Sequence, residues 1–144
     1  MAVGVQVVID CTDPATLAPF WAEALGYVRQ APPPGHDTWE DWLREMGVPE
    51  ADWNAFDAVV DPDGVGPRIF FQRVPEPKTG KTRVHLDLNV GGGPGTPIDE
   101  KKAAVDAAAE RLVALGAERV RSYEERGEYW VAMRDPQGTE FDLQ

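Results

Sequence analysis

The sequence has little cysteine, little histidine and few basic residues. Cys11 is the one thiol among 144 residues, so no disulfide can close within the chain. That usage fits a reducing compartment and points to the cytoplasm. Its place in the alternation of "VGVQVVIDC" makes Cys11 a buried small hydrophobe rather than a reactive thiol. Lysine and arginine number 14 against 25 acidic residues, for a net charge of −11. Nucleic-acid binding needs clustered cations to displace counterions. The cations here are scattered and outnumbered, which excludes nucleic acids and anionic membranes as partners. No apolar run approaches the ~18 residues that span a bilayer. The N-terminal "MAVGVQVVID" lacks the basic region and cleavage site of a signal peptide. Phosphate-binding loops and CxxC pairs are absent.

What the chain does contain is a repeat. "VGVQVVIDCTDP" alternates as a strand and runs into a helix start, with Asp13 as cap and Pro14 in the first turn. Leu17, Phe20, Trp21, Ala24 and Leu25 then recur at helical spacing, and Gly26 ends the run. "YVRQAP" is a short strand, and "FDAVVDPDGVGPRIFFQRV" reads as two strands about a turn at residues 61–64. The second half has the same order. "TRVHLDLNV" is a strand, Thr96-Pro97 starts a helix with Val105, Ala108, Ala109 and Leu112 inward, and "AERVRSY" is a strand. "YWVAMRDPQGTEFDLQ" is a hairpin turning at residues 135–138. The interval between helix end and hairpin is longer in the first half by roughly 16 residues, and it holds "PPPGHDTWEDWLREMGVPEADW". Asp37 or Thr38 can cap a short helix there. The expected organisation is a single domain over 1–144: repeat one over 1–76 with a Trp-rich insertion at about 32–54, and repeat two over 82–144.

In an extended strand side chains alternate between faces. In "KTRVHLDLNV", Val84, Leu86, Leu88 and Val90 form a core face, while His85, Asp87 and Asn89 share the other. The same division separates Gln6 and Asp10 from Val5, Val7 and Ile9. It also separates Glu140 and Asp142 from Phe141 and Leu143. A sheet with helices on one face leaves the other for polar groups. An imidazole, a carboxylate and an amide in one row mark that face as a candidate site.

The order and spacing of "VVIDCTDP…LAPFWAEALGY", "WEDWL…GVPEADW", "VVDPDGVGPRIFFQRVPEPKTGKTRVHLDLNV" and "MRDPQGTEFDL" resemble the vicinal oxygen chelate superfamily, which includes glyoxalase I, extradiol dioxygenases and bleomycin- or fosfomycin-resistance proteins. Within it the chain is similar to glyoxalase-like domain proteins of actinobacterial type. The resemblance implies an α+β fold: two βαβββ units forming one cupped, mixed eight-stranded sheet, with helices on the convex side. It implies a homodimer and a small-molecule ligand. It also implies a metal position filled by one residue from the first and last strand of each half. On this sequence those are Gln6, Gln72, His85 and Asp142, with Phe70 as the alternative to Gln72 two residues away. Such donors suit Zn, Ni, Co, Mn or Fe. With a glutamine at 72 the set carries one formal negative charge, so a metal-free polar pocket is favoured, with His85 and Asp142 as acid–base groups. An iron oxygenase of the two-histidine kind does not fit, since His36 lies in the insertion.

Asp87, Asn89, Glu140, Trp39, Trp42 and Trp130 complete the expected substrate-binding set. For the insertion, the spacing of Trp39, Trp42, Leu43 and Met46 suits a helix packed on core. The alternative is a lid with a stacking surface for a planar ligand. Two functions follow: a glyoxalase-like lyase, isomerase or epimerase of unknown substrate, and a non-catalytic binding or drug-sequestering protein of the same fold.

Overall fold

The computed structural model describes residues 1–144. The chain forms two compact units, Met1–Pro77 and Lys78–Gln144.

In the first unit, alternation produces β1 (Val7–Cys11), and the Asp-Pro pair then starts α1 (Pro14–Leu25). The Asp13 carboxylate accepts the backbone N–H of Thr16, an otherwise orphaned donor of the first turn. Gly26 ends the helix at φ 69°, a conformation that costs glycine nothing. β2 (Val28–Arg29), α2 (Trp39–Glu45), a 3₁₀ turn (Glu50–Asp52), β3 (Phe56–Val60) and β4 (Ile69–Arg73) follow. The strands pair in the order β1-β4-β3-β2, with β1 parallel to β4 and the other pairs antiparallel. Leu17, Phe20 and Trp21 of α1 pack on Ile9, Val59, Ile69 and Phe71, all buried. Each such side chain taken from water contributes roughly 1.5–3 kcal/mol.

The second unit has β5 (Asp87–Leu88), α3 (Ile98–Ala114), β6 (Glu118–Glu125), β7 (Glu128–Arg134) and β8 (Glu140–Leu143). Their order, β5-β8-β7-β6, is that of the first unit, again with a parallel first pair. Val105, Ala109 and Leu112 of α3 cover Leu88, Val131, Met133, Phe141 and Leu143. The fold is thus α+β. Hydrogen bonding divides the eight strands into two four-stranded mixed sheets with no closed barrel, rather than one sheet of eight.

Several local expectations are revised. The strand expected over 82–90 is reduced to two residues. Upstream of Asp87 the one backbone-to-backbone bond with β8 runs from the Asp142 N–H to the Leu86 carbonyl, and Val84 is 78% exposed rather than in the core. Val5 precedes β1 and is exposed as well. Thr96 does not cap α3, because its hydroxyl donates to the Gly93 carbonyl and Pro97 takes the cap position. Thr38, of the two candidates, caps α2, accepting from the N–H of Asp41.

Candidate functional site

β8 alternates strictly: Phe141 and Leu143 enter the core under α3, so Glu140 and Asp142 are held on the opposite face. The parallel register sets Asp87 beside Asp142. His85 stands two residues before Asp87, and its Nδ1 lies 2.9 Å from Asp87 Oδ1 and 3.9 Å from Asp142 Oδ2. One donor atom from each of these three residues falls within 4.8 Å of the others. Burial pushes the Asp142 carboxyl above its ordinary value. The His85 charge opposes this and the Asp87 charge adds to it. Two neighbouring carboxylates and an imidazole can share a proton or hold a cation. The side chains of His85 and Asp87 are 41% and 40% exposed, so a small molecule can reach them.

The other expected residues of this unit divide. Trp130 shares the face of Asp142, since Ala132, two residues along β7, is opposite Asp142. Its ring stacks on Tyr123 at 5.1 Å and 10°. Tyr129 turns inward and is buried. Glu140 is engaged locally. Burial alone would raise its carboxyl, but the Thr82 hydroxyl, the Lys78 ammonium and the Thr82 N–H donate to it and lower it to about 2. Asn89 Oδ1 accepts from Gln144 Nε2 at 3.0 Å.

In the first unit the two expected glutamine donors do not converge. Gln6 Oε1 accepts from Arg68 Nη1 at 3.0 Å, whereas Gln72 is opposite Asp10, four residues farther along β1. That spacing is roughly 13 Å of strand, too far for two side chains leaving the same face to share one ion. The register also resolves the choice between positions 70 and 72. With Gln6 matched to His85, Val8 corresponds to Asp87. The partner of Val8 is Phe70, whereas the partner of Asp87 is Asp142. Phe70, not Gln72, therefore stands where Asp142 stands in the second unit, and it brings no donor.

The Trp-rich insertion does not cover core: no residue of α2 is fully buried. Trp39, Trp42 and Leu43 of α2, with Trp53, instead line a cavity of about 580 Å³ over Phe56, Ala58 and Phe70. Trp39 Nε1 donates to the Gln30 carbonyl and Trp53 Nε1 to the Val48 carbonyl, which fixes both indoles. Trp39 and Trp42 meet edge to face at 5.7 Å, and Phe56 stacks on Phe70 at 5.4 Å.

These geometries can be set beside known proteins. The glyoxalase-like domain family matches the chain over residues 6–144. The chain belongs to that family. Its fold is that of the vicinal oxygen chelate superfamily. A glyoxalase/bleomycin resistance/dioxygenase family enzyme from Burkholderia phytofirmans is 18% identical, with 96% of this chain and 94% of that one covered and a TM-score of 0.61. A fosfomycin resistance protein, FosX, from Listeria monocytogenes, complexed with Mn(II) and a dihydroxypropylphosphonic acid, is 14% identical, with 100% and 90% covered and a TM-score of 0.63. The bleomycin-binding protein of Streptomyces verticillus, complexed with copper(II)-bleomycin, is 15% identical, with 100% and 96% covered and a TM-score of 0.55. At these identities the likeness is one of fold. No curated protein matches the sequence.

Two features of this glyoxalase-like domain are visible only in the structure. The sequence pattern places Asp87 in the substrate set and the glutamines in the donor set, whereas the structure brings Asp87 together with His85 and Asp142. The signal for Asp87 was its parity with His85, two residues away. Arg68 was not singled out, although it shares the parity of Phe70 and ends up on the cavity wall.

Proposed function

We propose that this glyoxalase-like domain is a small-molecule enzyme of lyase, isomerase or epimerase type, with His85 and Asp142 as its acid–base groups. The observation that carries the reading is the convergence of His85, Asp87 and Asp142 on the polar face of β5 and β8. With Nδ1–H donating to Asp87, the ring is held and its tautomer set, leaving Nε2 as proton acceptor. Asp142, raised by burial, complements it as proton donor. The stacked Trp130 and Tyr123 rings offer an apolar flank. One imidazole and two carboxylates also fit a divalent ion, held by His85, Asp87 and Asp142, which when bound would polarise a substrate oxygen. Gln6 and Gln72 fall outside this set. By analogy of fold the reading extends to a homodimer, and by cysteine usage to the cytoplasm; light scattering on the purified chain tests the first.

The test combines metal analysis of untagged protein, purified without chelator, with turnover of a small-molecule panel. His85→Ala and Asp142→Asn should each abolish turnover and any bound stoichiometric ion, while far-UV circular dichroism stays unchanged. Turnover that persists in both folded variants would refute the reading. A second reading, a non-catalytic binding protein, is favoured by the aromatic cavity of the first unit. It predicts ligand binding with no turnover.

A further inference from the structure

The cavity of the first unit contains an arginine whose charge is not neutralised. Arg68 Nε donates to Gln30 Oε1 at 2.7 Å and its Nη1 to Gln6 Oε1 at 3.0 Å. Both acceptors are neutral amides. The guanidinium stands 4.9 Å from the Phe70 ring centroid. Of the three acidic residues that line the cavity, Asp57 pairs with Arg29 at 3.1 Å, Asp52 pairs with Arg73 at 3.5 Å, and Glu40 is exposed to solvent on α2, so none forms an ion pair with Arg68. A guanidinium carries five N–H donors in one plane, and two are used here. A cation held by amides rather than by a carboxylate keeps its charge available to a ligand.

Aromatic rings make up the largest part of the remaining wall, beside the aliphatic Leu43 and Val48 and the polar groups named above. Trp42, Trp53 and Phe56 line it together with Trp39 and Phe70. The indole N–H groups of Trp39 and Trp53 are already satisfied by backbone carbonyls, so these rings present π surface rather than polar edges. A cavity of about 580 Å³ is of the size that holds a small organic molecule. Apolar walls select a planar hydrocarbon body, and the guanidinium fork matches the geometry of a carboxylate.

We propose that this cavity binds an aromatic carboxylate, its ring between Trp42 and the Phe56–Phe70 stack and its carboxylate on Arg68. The pocket stands on the first unit alone and goes beyond the acid–base reading at His85, so either can fail without the other.

The test uses isothermal titration of the intact chain with naphthoate and with its neutral counterpart naphthamide. Naphthoate is expected to bind about 10-fold or more tightly than naphthamide, the size of effect a charge-assisted hydrogen bond carries. Arg68→Met should bring naphthoate down to the level of naphthamide and leave naphthamide unchanged. Trp42→Ala should weaken both. Equal affinity of acid and amide on the native chain, no binding of either, or a preference that survives Arg68→Met would each overturn the proposal. The native comparison decides even if Arg68→Met fails to fold. Shifts of the Trp42 and Trp53 indole N–H resonances on titration with naphthoate locate the ligand. Shifts confined to the second unit would also overturn it.

Discussion

Asp13 does more than begin a helix. Its carboxylate takes the Thr16 hydroxyl at 2.6 Å, the Thr16 N–H, and Asn54 Nδ2 at 2.8 Å, so one side chain ties α1 to the turn before β3. The Thr16 hydroxyl, then Asn54, hold the acid below its ordinary value of 3.8, outweighing the opposing effect of burial. Asp61 is lowered likewise, chiefly by the N–H groups of Gly66 and Asp63. A carboxyl that is more acidic folded than unfolded binds fewer protons in the native state. Its contribution is complete above the unfolded pKa and lost as the pH falls below about 3.8 toward the folded value. Urea melts at pH 6 and pH 3 should show the native chain losing more stability than Asp13→Asn does between those two points. At pH 7, Asp13→Ala should cost about 1 kcal/mol, the usual worth of a helix cap. Phe71→Ala, at a side chain with no exposure, should cost about 3–5 kcal/mol in the same melts.

Among the elements, α2 has the least conventional role. Seven residues long, capped by Thr38 and with no buried side chain, it gives the core little and the cavity much. Trp42→Ala should therefore cost only about 1 kcal/mol, well short of a core truncation, while removing most of the affinity for flat aromatic probes. Equilibrium melts and titration calorimetry on the one variant separate the two effects. The loop after β3 shows the opposite balance. Gly66 packs against Tyr27, so a methyl at that position overlaps the phenol oxygen, and the Asp61 carboxylate is also nearby. Gly66→Ala should displace the Tyr27 ring and lower the Tm, and proton NMR of the tyrosine ring should report the displacement.

Over the whole molecule, a net charge of −11 spreads like charge over a small surface. Surface ion pairs such as Lys101–Glu128 offset it only locally. Screening at about 0.15 M salt, where the Debye length is about 8 Å, should raise the Tm above its value at about 0.01 M. A Tm that falls with added salt would mean that the paired charges outweigh the excess.

Where the chain alternates or repeats at helical spacing, its order could be read directly. The Asp13-Pro14 start, the Gly26 stop and the buried stripe of α1 follow from local chemistry, because caps, turn residues and apolar period act within a few residues of themselves. The two-fold recurrence of strand, helix and three strands was legible for the same reason. What local rules could not supply was pairing. Only the register of β1 on β4 shows Phe70, not Gln72, in the place equivalent to Asp142, and only that of β5 on β8 sets Asp87 against Asp142 to make a three-residue cluster with His85. The strand through His85 shortened because no backbone-to-backbone bond joins it to β8 upstream of Leu86, a pairing that residues 82–90 alone do not show. The spacing of the α2 tryptophans favours packing on core over a lid, yet helical spacing says which residues share a face and not what that face meets. Sequence by itself determined the elements, their order and their polar faces; contacts between residues far apart in the chain decided which groups on those faces meet.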